Sequence, residues 1–157
     1  MTFKFFKLIP IIILIIVILS ILFALYRTWK IQHSDNQKIF LSGKLPSPKL
    51  DGFYKGSVNG RDSLSWKGKI FNAAENSGVN KIEDSERYKF KTSEGKGLQD
   101  KNIGVLKLNY NVSGNPIWLR TLLDEIVETE PGVYLGKIHL RIIPGLPFTI
   151  GYFNLER

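Results

Sequence analysis

The sequence predicts an all-β domain, an antiparallel up-and-down barrel or a strongly curved sheet, preceded by one N-terminal transmembrane helix. Three observations carry this. Residues 8–26 are apolar and free of charge. From residue 50 the chain is dense in glycine, aromatic and β-branched residues. Turn signals cut that stretch roughly every ten residues, the spacing of short antiparallel strands. The 157 residues then divide into a membrane anchor with its flanks at 1–30, a tether at 31–49 and a barrel-like domain at 50–157.

Leu8 to Tyr26 reads LIPIIILIIVILSILFALY. At about 1.5 Å per residue this run matches the hydrocarbon thickness of a bilayer. Pro10 is expected in the first helical turn, where its missing N–H costs little. Tyr26 and Trp29 at the far end, and Phe5 and Phe6 at the start, suit the membrane interface. The run exceeds the roughly 7–15 apolar residues of a secretory signal, and no small-x-small cleavage site follows it, so an uncleaved single-pass anchor is expected. Lys4 and Lys7 precede the run, and Arg27 and Lys30 follow it. A short basic N-terminus ahead of a signal-anchor favours the soluble domain outside the cytoplasm, although Lys38, Lys44 and Lys49 pull the other way.

Residues 31–49 are polar and end in Leu45-Pro46-Ser47-Pro48, an extended lead into the domain. Gly52 to Val58 reads as a strand, and Asn59-Gly60 as a hairpin turn, since both residues tolerate positive φ. Ser63 to Phe71 is the returning strand. Tyr88 to Thr92 alternates Tyr88, Phe90 and Thr92 with Lys89 and Lys91. Ile103 to Tyr110 follows a turn around Gly95 and Gly97. Asn115 to Trp118 either starts a short helix carrying Leu119, Leu122, Leu123 and Ile126, or forms an irregular turn into a strand. Glu130-Pro131-Gly132 is a type II turn signal, leading to strands at Val133–Ile143 and Phe148–Leu155. Short turns joining strands in sequence are the mark of an up-and-down barrel.

The formal charge is +8, with 22 basic and 14 acidic residues. From residue 31 onward it is +4. The excess sits near the apolar run, where anionic head groups attract it. No RNP, zinc-finger or helix-turn-helix signature accompanies it, so nucleic acid is not an expected partner. The chain has no cysteine, which excludes disulfides, thiolate metal sites and a cysteine nucleophile.

No constellation for catalysis stands out, and neither enzyme activity, metal site nor cofactor is expected. His33 falls in the tether. His139 falls in a strand beside Lys137 and Arg141, which reads as a solvated position. Asp124, Glu125, Glu128 and Glu130 lack EF-hand spacing and read as a polar face next to a turn. Gly95-Lys96-Gly97 is too sparse for a phosphate loop, and no G-x-S-x-G elbow occurs. Asn111-Val112-Ser113 matches a glycosylation sequon, a pattern common by chance.

Aromatic residues occupy nearly every expected strand. Inside a small barrel they either form a solid core or line a ligand cavity. The candidate ligand-lining residues are Tyr54, Trp66, Phe71, Tyr110, Tyr134 and Tyr152.

The segments Asp51-Gly52-Phe53-Tyr54-Lys55-Gly56, Ser65-Trp66-Lys67-Gly68-Lys69-Ile70-Phe71 and Glu130-Pro131-Gly132-Val133-Tyr134-Leu135-Gly136 resemble the D-G-x-Y-x-G, W-x-G-K-x-F and P-G-x-Y-L-G pattern of small bacterial lipocalin-like proteins. The resemblance covers residues 50–156 in patches. It departs from the G-x-W pattern of lipocalins at Leu64, where a glycine would stand two before Trp66. It implies a barrel with Trp66 packed across one end, a hydrophobic small molecule or membrane lipid as ligand, and no catalysis. The other expectation is a structural protein with a filled barrel that docks a membrane-protein partner.

Overall fold

The computed structural model describes residues 2–58, 60–62 and 65–157. Two helices, α1 (Thr2–Gln32) and α2 (Asp35–Ser42), precede nine strands: β1 (Gly52–Val58), β2 (Arg61–Asp62), β3 (Trp66–Asn72), β4 (Ser77–Ile82), β5 (Ser85–Lys96), β6 (Gly104–Asn109), β7 (Leu122–Glu130), β8 (Val133–Ile143) and β9 (Leu146–Glu156). Sequential strands from β3 to β9 pair antiparallel, and β1 pairs with both β3 and β9. The sheet thus closes into an eight-stranded up-and-down barrel. The two-residue β2 only lengthens the β1 hairpin, with Val58 opposite Arg61. Gly60 takes φ +70° there, while Asn59 lies outside the described residues.

Up-and-down order sends alternate turns to opposite ends. The β1–β2 turn, Glu83–Asp84, the long connection 110–121 and Pro144–Gly145 lie at one end, called the upper end. The turns at 73–76, 97–103 and Pro131–Gly132 lie at the lower end, with the chain's entry at Leu50.

Most expected strands are present. Gly132 adopts φ +79°, as the Pro-Gly turn requires. Residues 115–126 take the turn-then-strand alternative: a single 3-10 turn at Leu119–Thr121 leads into β7. β4 was not legible, because Ser-Gly-Val-Asn-Lys-Ile lacks an apolar alternation. Pro10 lies inside α1, which begins at Thr2. Leu8–Gln32 is long and apolar enough to cross a membrane.

The segment expected as a tether instead contains α2, which is docked on the barrel wall. Phe40 of α2 is fully buried against Val105, Val127, Leu135 and Tyr152. Lys44 and Glu128 then exchange backbone hydrogen bonds at 2.9 and 2.7 Å. The polar composition of the segment concealed a single anchoring aromatic. Burying such a side chain stabilises by about 1.5–3 kcal/mol.

Inside, aromatic rings cross the middle of the barrel edge to face. Tyr134, Tyr54, Phe71, Phe90 and Tyr110 follow one another at centroid separations of 5.4, 5.5, 5.4 and 5.6 Å. With Leu108, Ile126 and Leu155 they form a solid plug. Two glycines make room above it. A Cβ on Gly56 would meet the Trp66 ring at 2.4 Å, and one on Gly136 would meet Phe153 at 2.1 Å. The glycine-aromatic motifs therefore encode close packing.

Candidate ligand site in the upper half of the barrel

Above the plug the barrel is not filled. A cavity of about 330 Å³ is lined by Val58, Trp66, Ile82, Tyr88, Leu119, Leu122, Ile138 and Phe153. Lys69, Asn80, Tyr110 and Asp124 complete the lining. Eight-stranded barrels have interiors just wide enough for side chains or one small ligand; this one is packed with side chains at its middle and open above them.

A β-bulge accounts for the lysine's position. The β3–β4 register slips between Trp66 and Gly68, so Trp66 and Lys69, three apart, both point inward. Gly68 occupies the bulge at φ +140° with its Cα side against the Tyr54 carbonyl, where a Cβ would lie 2.0 Å away. A second bulge in β5 places Tyr88 at φ +64°, an uncommon conformation for a bulky residue. Asn80 Nδ2 donates to the Tyr88 carbonyl at 3.1 Å and holds this bulge beside the cavity.

The polar groups form one closed network. Lys69 Nζ donates to Asp124 Oδ2 at 3.0 Å, to Asn80 Oδ1 at 3.0 Å and to the Tyr110 hydroxyl. Tyr110 donates to Asp124 Oδ2 at 3.0 Å. Trp66 Nε1 donates to Asn80 Oδ1 at 3.1 Å. All three ammonium protons of Lys69 are thereby used. Four aromatic rings, those of Trp66, Phe90, Tyr110 and Phe153, surround Nζ at 4.8–5.5 Å from their centroids, adding cation–π attraction. Burial lowers the Lys69 pKa, against the attraction of Asp124. Burial, reinforced by Asp124, raises the Tyr110 phenol well above its ordinary value.

Of the six candidate lining residues, Trp66 and Tyr110 face the cavity. Tyr54, Phe71 and Tyr134 lie in the plug. Tyr152 lies on the outer wall, 6.1 Å from Phe40 between ring centroids, with its hydroxyl on Gln37 Oε1. Lys69, Asn80 and Asp124 were missed. Strict two-residue alternation from Trp66 turns Lys69 outward, and only the bulge reverses it.

Two readings of polar residues require correction. His139 is not a solvated strand residue: it is fully buried, because the helices cover this part of the outer wall. Asp124 and Glu125 are not a polar surface face either, at 3% and 0% exposure. They are neighbours on β7 and point to opposite sides of the wall. Asp124 meets Lys69 inside, while Glu125 Oε2 lies 3.1 Å from His139 Nε2 outside. Thr149 Oγ1 stands 3.2 Å from His139 Nδ1 and donates to Gln99 at 2.6 Å. This hydroxyl–imidazole–carboxylate chain leaves no approach for a substrate, since Thr149, His139 and Glu125 are all buried. Beside it Lys137 Nζ binds Asp100 at 2.7 Å and Gln37 at 2.8 Å. These bonds fasten the helices and the 97–103 turn to the barrel.

A second cleft of about 370 Å³ opens at the lower end, bordered by Lys49, Asn76 and Glu94. It contains no buried polar network. Among the described residues no cluster of three or more metal-ligating side chains occurs.

Neither a protein-family model nor a curated protein matches the sequence. Among solved structures, the chain is similar to a protein from Thermomonospora curvata known from its crystal structure. The likeness covers 73% of this chain and 79% of that one, at 14% identity and a TM-score of 0.48. At that level it carries no argument about this chain.

Proposed function

We propose that α1 anchors the chain in a membrane and that the barrel holds one slender apolar molecule, such as an acyl chain of a membrane lipid, in its upper cavity. The observation that carries this reading is the cavity of about 330 Å³ left above a solid plug. Small-molecule sites are mostly apolar concavities of about 300–1,000 Å³ with a few placed polar groups, and this cavity lies at the lower end of that range. The Lys69 network is internally satisfied and formally neutral as an ion pair, so it offers no unpaired cation to an anionic head group. A tail therefore enters first and the head remains at the mouth. The lipocalin-like motifs agree with a lipid or hydrophobic ligand. The short basic N-terminus ahead of the signal-anchor supports a barrel outside the cytoplasm, against the pull of Lys38, Lys44 and Lys49.

Ile138→Phe tests the reading with the full chain in mild detergent. The larger ring should weaken binding of a fluorescent fatty acid while leaving the unfolding midpoint nearly unchanged. If the barrel is instead a filled structural module, the same change overpacks it, costing about 1–3 kcal/mol, and the fatty acid binds neither form.

A further inference from the structure

We propose that the upper end of the barrel is a membrane-docking face, seated on the bilayer that α1 crosses. This rests on the anchoring role of α1 proposed above and adds where the barrel lies relative to the lipid.

The direction of α1 along the wall comes first. Thr28 Oγ1 accepts from the Thr149 backbone N–H at 3.0 Å, close to the upper start of β9. Three residues on, Ile31 packs against the cluster of Phe40, Val105, Val127, Leu135 and Tyr152, which lies below Thr149 on the wall. The helix therefore descends the barrel from upper to lower end, and its apolar N-terminal part projects past the mouth. Ile21, Ala24, Thr28 and Ile31 are shielded at three- and four-residue spacing, whereas the residues between them are exposed. The stripe facing the barrel thus begins at Ile21, inside the apolar run that ends at Tyr26. The six residues Ile21 to Tyr26 span about 7.5 Å of helix, comparable to the polar layer on each side of a bilayer's hydrocarbon core. A helix that spans the membrane with this run brings the barrel's upper end to the level of the head groups.

The composition of that end agrees independently. Ile117 is 82% exposed, Trp118 and Ile142 are each 63% exposed, and Val58 is 41% exposed. They come from three separate upper-end segments. The lower-end turns expose no large apolar side chain among the described residues; near that end Phe53 alone, second in β1, is exposed, at 48%, and Ile39, Leu41 and Ile150 lie on α2 and along β9. Apolar side chains gathered at one end mark an interaction surface, and tryptophan with aliphatic residues at a head-group boundary suits a lipid surface. Finally, Val58 and Ile138 line both the cavity and a groove that runs beside Phe23, Tyr26 and Ile31 of α1. The cavity and the groove meet at the face that lipid would cover.

The natural absence of cysteine allows single-site labelling of the full chain. Ile15→Cys, Ile117→Cys, Ile142→Cys and Ala74→Cys variants would carry an environment-sensitive fluorophore and be reconstituted in phosphatidylcholine–phosphatidylglycerol vesicles. Ile15 marks the middle of the apolar run and Ala74 a lower-end turn. The expected result is quenching of the labels at 117 and 142 by lipids spin-labelled near the head group, with several-fold less quenching by aqueous iodide than at 74. If 117 and 142 are as open to iodide as 74 while 15 is quenched only from lipid, docking is overturned and the rim faces water or a protein partner. A label at 15 that is itself open to iodide overturns anchoring and docking together. The labels read depth whatever the cavity holds, so failure of ligand binding leaves this result unaffected.

Discussion

Replacing Lys69 by methionine isolates the buried charge pair at the floor of the cavity. Lys69 and Asp124 are 3% and 5% exposed at their side chains. Without Lys69, the Asp124 carboxylate retains the Tyr110 hydroxyl at 3.0 Å and loses its opposite charge. Leaving one partner of a buried pair uncompensated costs about 3–5 kcal/mol. With a urea slope of about 2 kcal/mol/M, the midpoint should fall by about 1.5–2.5 M. The double variant Lys69→Met, Asp124→Asn removes both charges and keeps an acceptor for Tyr110. It should recover most of the loss, because apolar or neutral replacement of a whole buried pair is often neutral. Urea unfolding of the full chain in mild detergent, followed by tryptophan fluorescence, measures these three proteins and the single variant Asp124→Asn, and the four-protein cycle returns the coupling between the two sites. A loss under about 1 kcal/mol for Lys69→Met would show that water reaches the pair. A double variant no better than the single would show that the lysine stabilises through its contacts with Trp66, Phe90, Tyr110 and Phe153 rather than through Asp124. The double variant should still bind a fatty acid, since the proposed ligand presents its tail to this floor.

Phe40→Ala should cost about 3–5 kcal/mol in the same unfolding assay, the range for a buried phenylalanine; a loss below about 1 kcal/mol would mean that residues 35–42 do not rest on the barrel in solution. Alkaline titration tests the buried phenols. Tyr110 is raised well above its ordinary value by burial and then by Asp124, and Tyr134 is raised to about 12 by burial and then by Tyr54 and Glu128. A raised folded pKa means that the fold retains protons which the unfolded chain releases above about pH 10. This contribution to stability is complete below that value and is lost as the pH rises from there through the folded values. Lys69 has the opposite sign: its lowered pKa makes stability rise with pH toward the ordinary lysine value. Phenolate absorbance should therefore rise in a fast phase and then in a slow phase that coincides with unfolding. A single fast phase for all six tyrosines would contradict the burial of Tyr110.

The sequence by itself determined what depends on local chemistry. The membrane-length helix followed from an additive property, the apolarity of residues 8–26. The hairpin at Gly60 and the turn at Gly132 followed from backbone angles that few residues tolerate. Strand alternation from Tyr88 to Thr92 needed no knowledge of the partner strands. The all-β architecture followed from the number and regularity of these signals.

Only the tertiary structure decided which polar residues are interior. Asp124 and Glu125 are adjacent and chemically alike, yet the wall between them separates two buried polar contacts. One partner is Lys69, 55 residues away, and the other is His139, 14 residues away. Alternation along β7 puts the two carboxylates on opposite faces, but it does not say that both faces are covered. The outer face is covered because Phe40 and Gln37 of α2 pack there, a contact with no periodic trace in the polar stretch 31–49. The inward turn of Lys69 depends on the bulge beside Gly68, where the Tyr54 carbonyl on β1 leaves no room for a Cβ. The cavity is further still from the sequence, because it is the space left above when β1 closes on β9 and the aromatic rings fill the middle of the barrel. Local preferences act between residues a few positions apart, whereas burial and empty volume are properties of the closed surface formed by all eight strands and the helix laid across it.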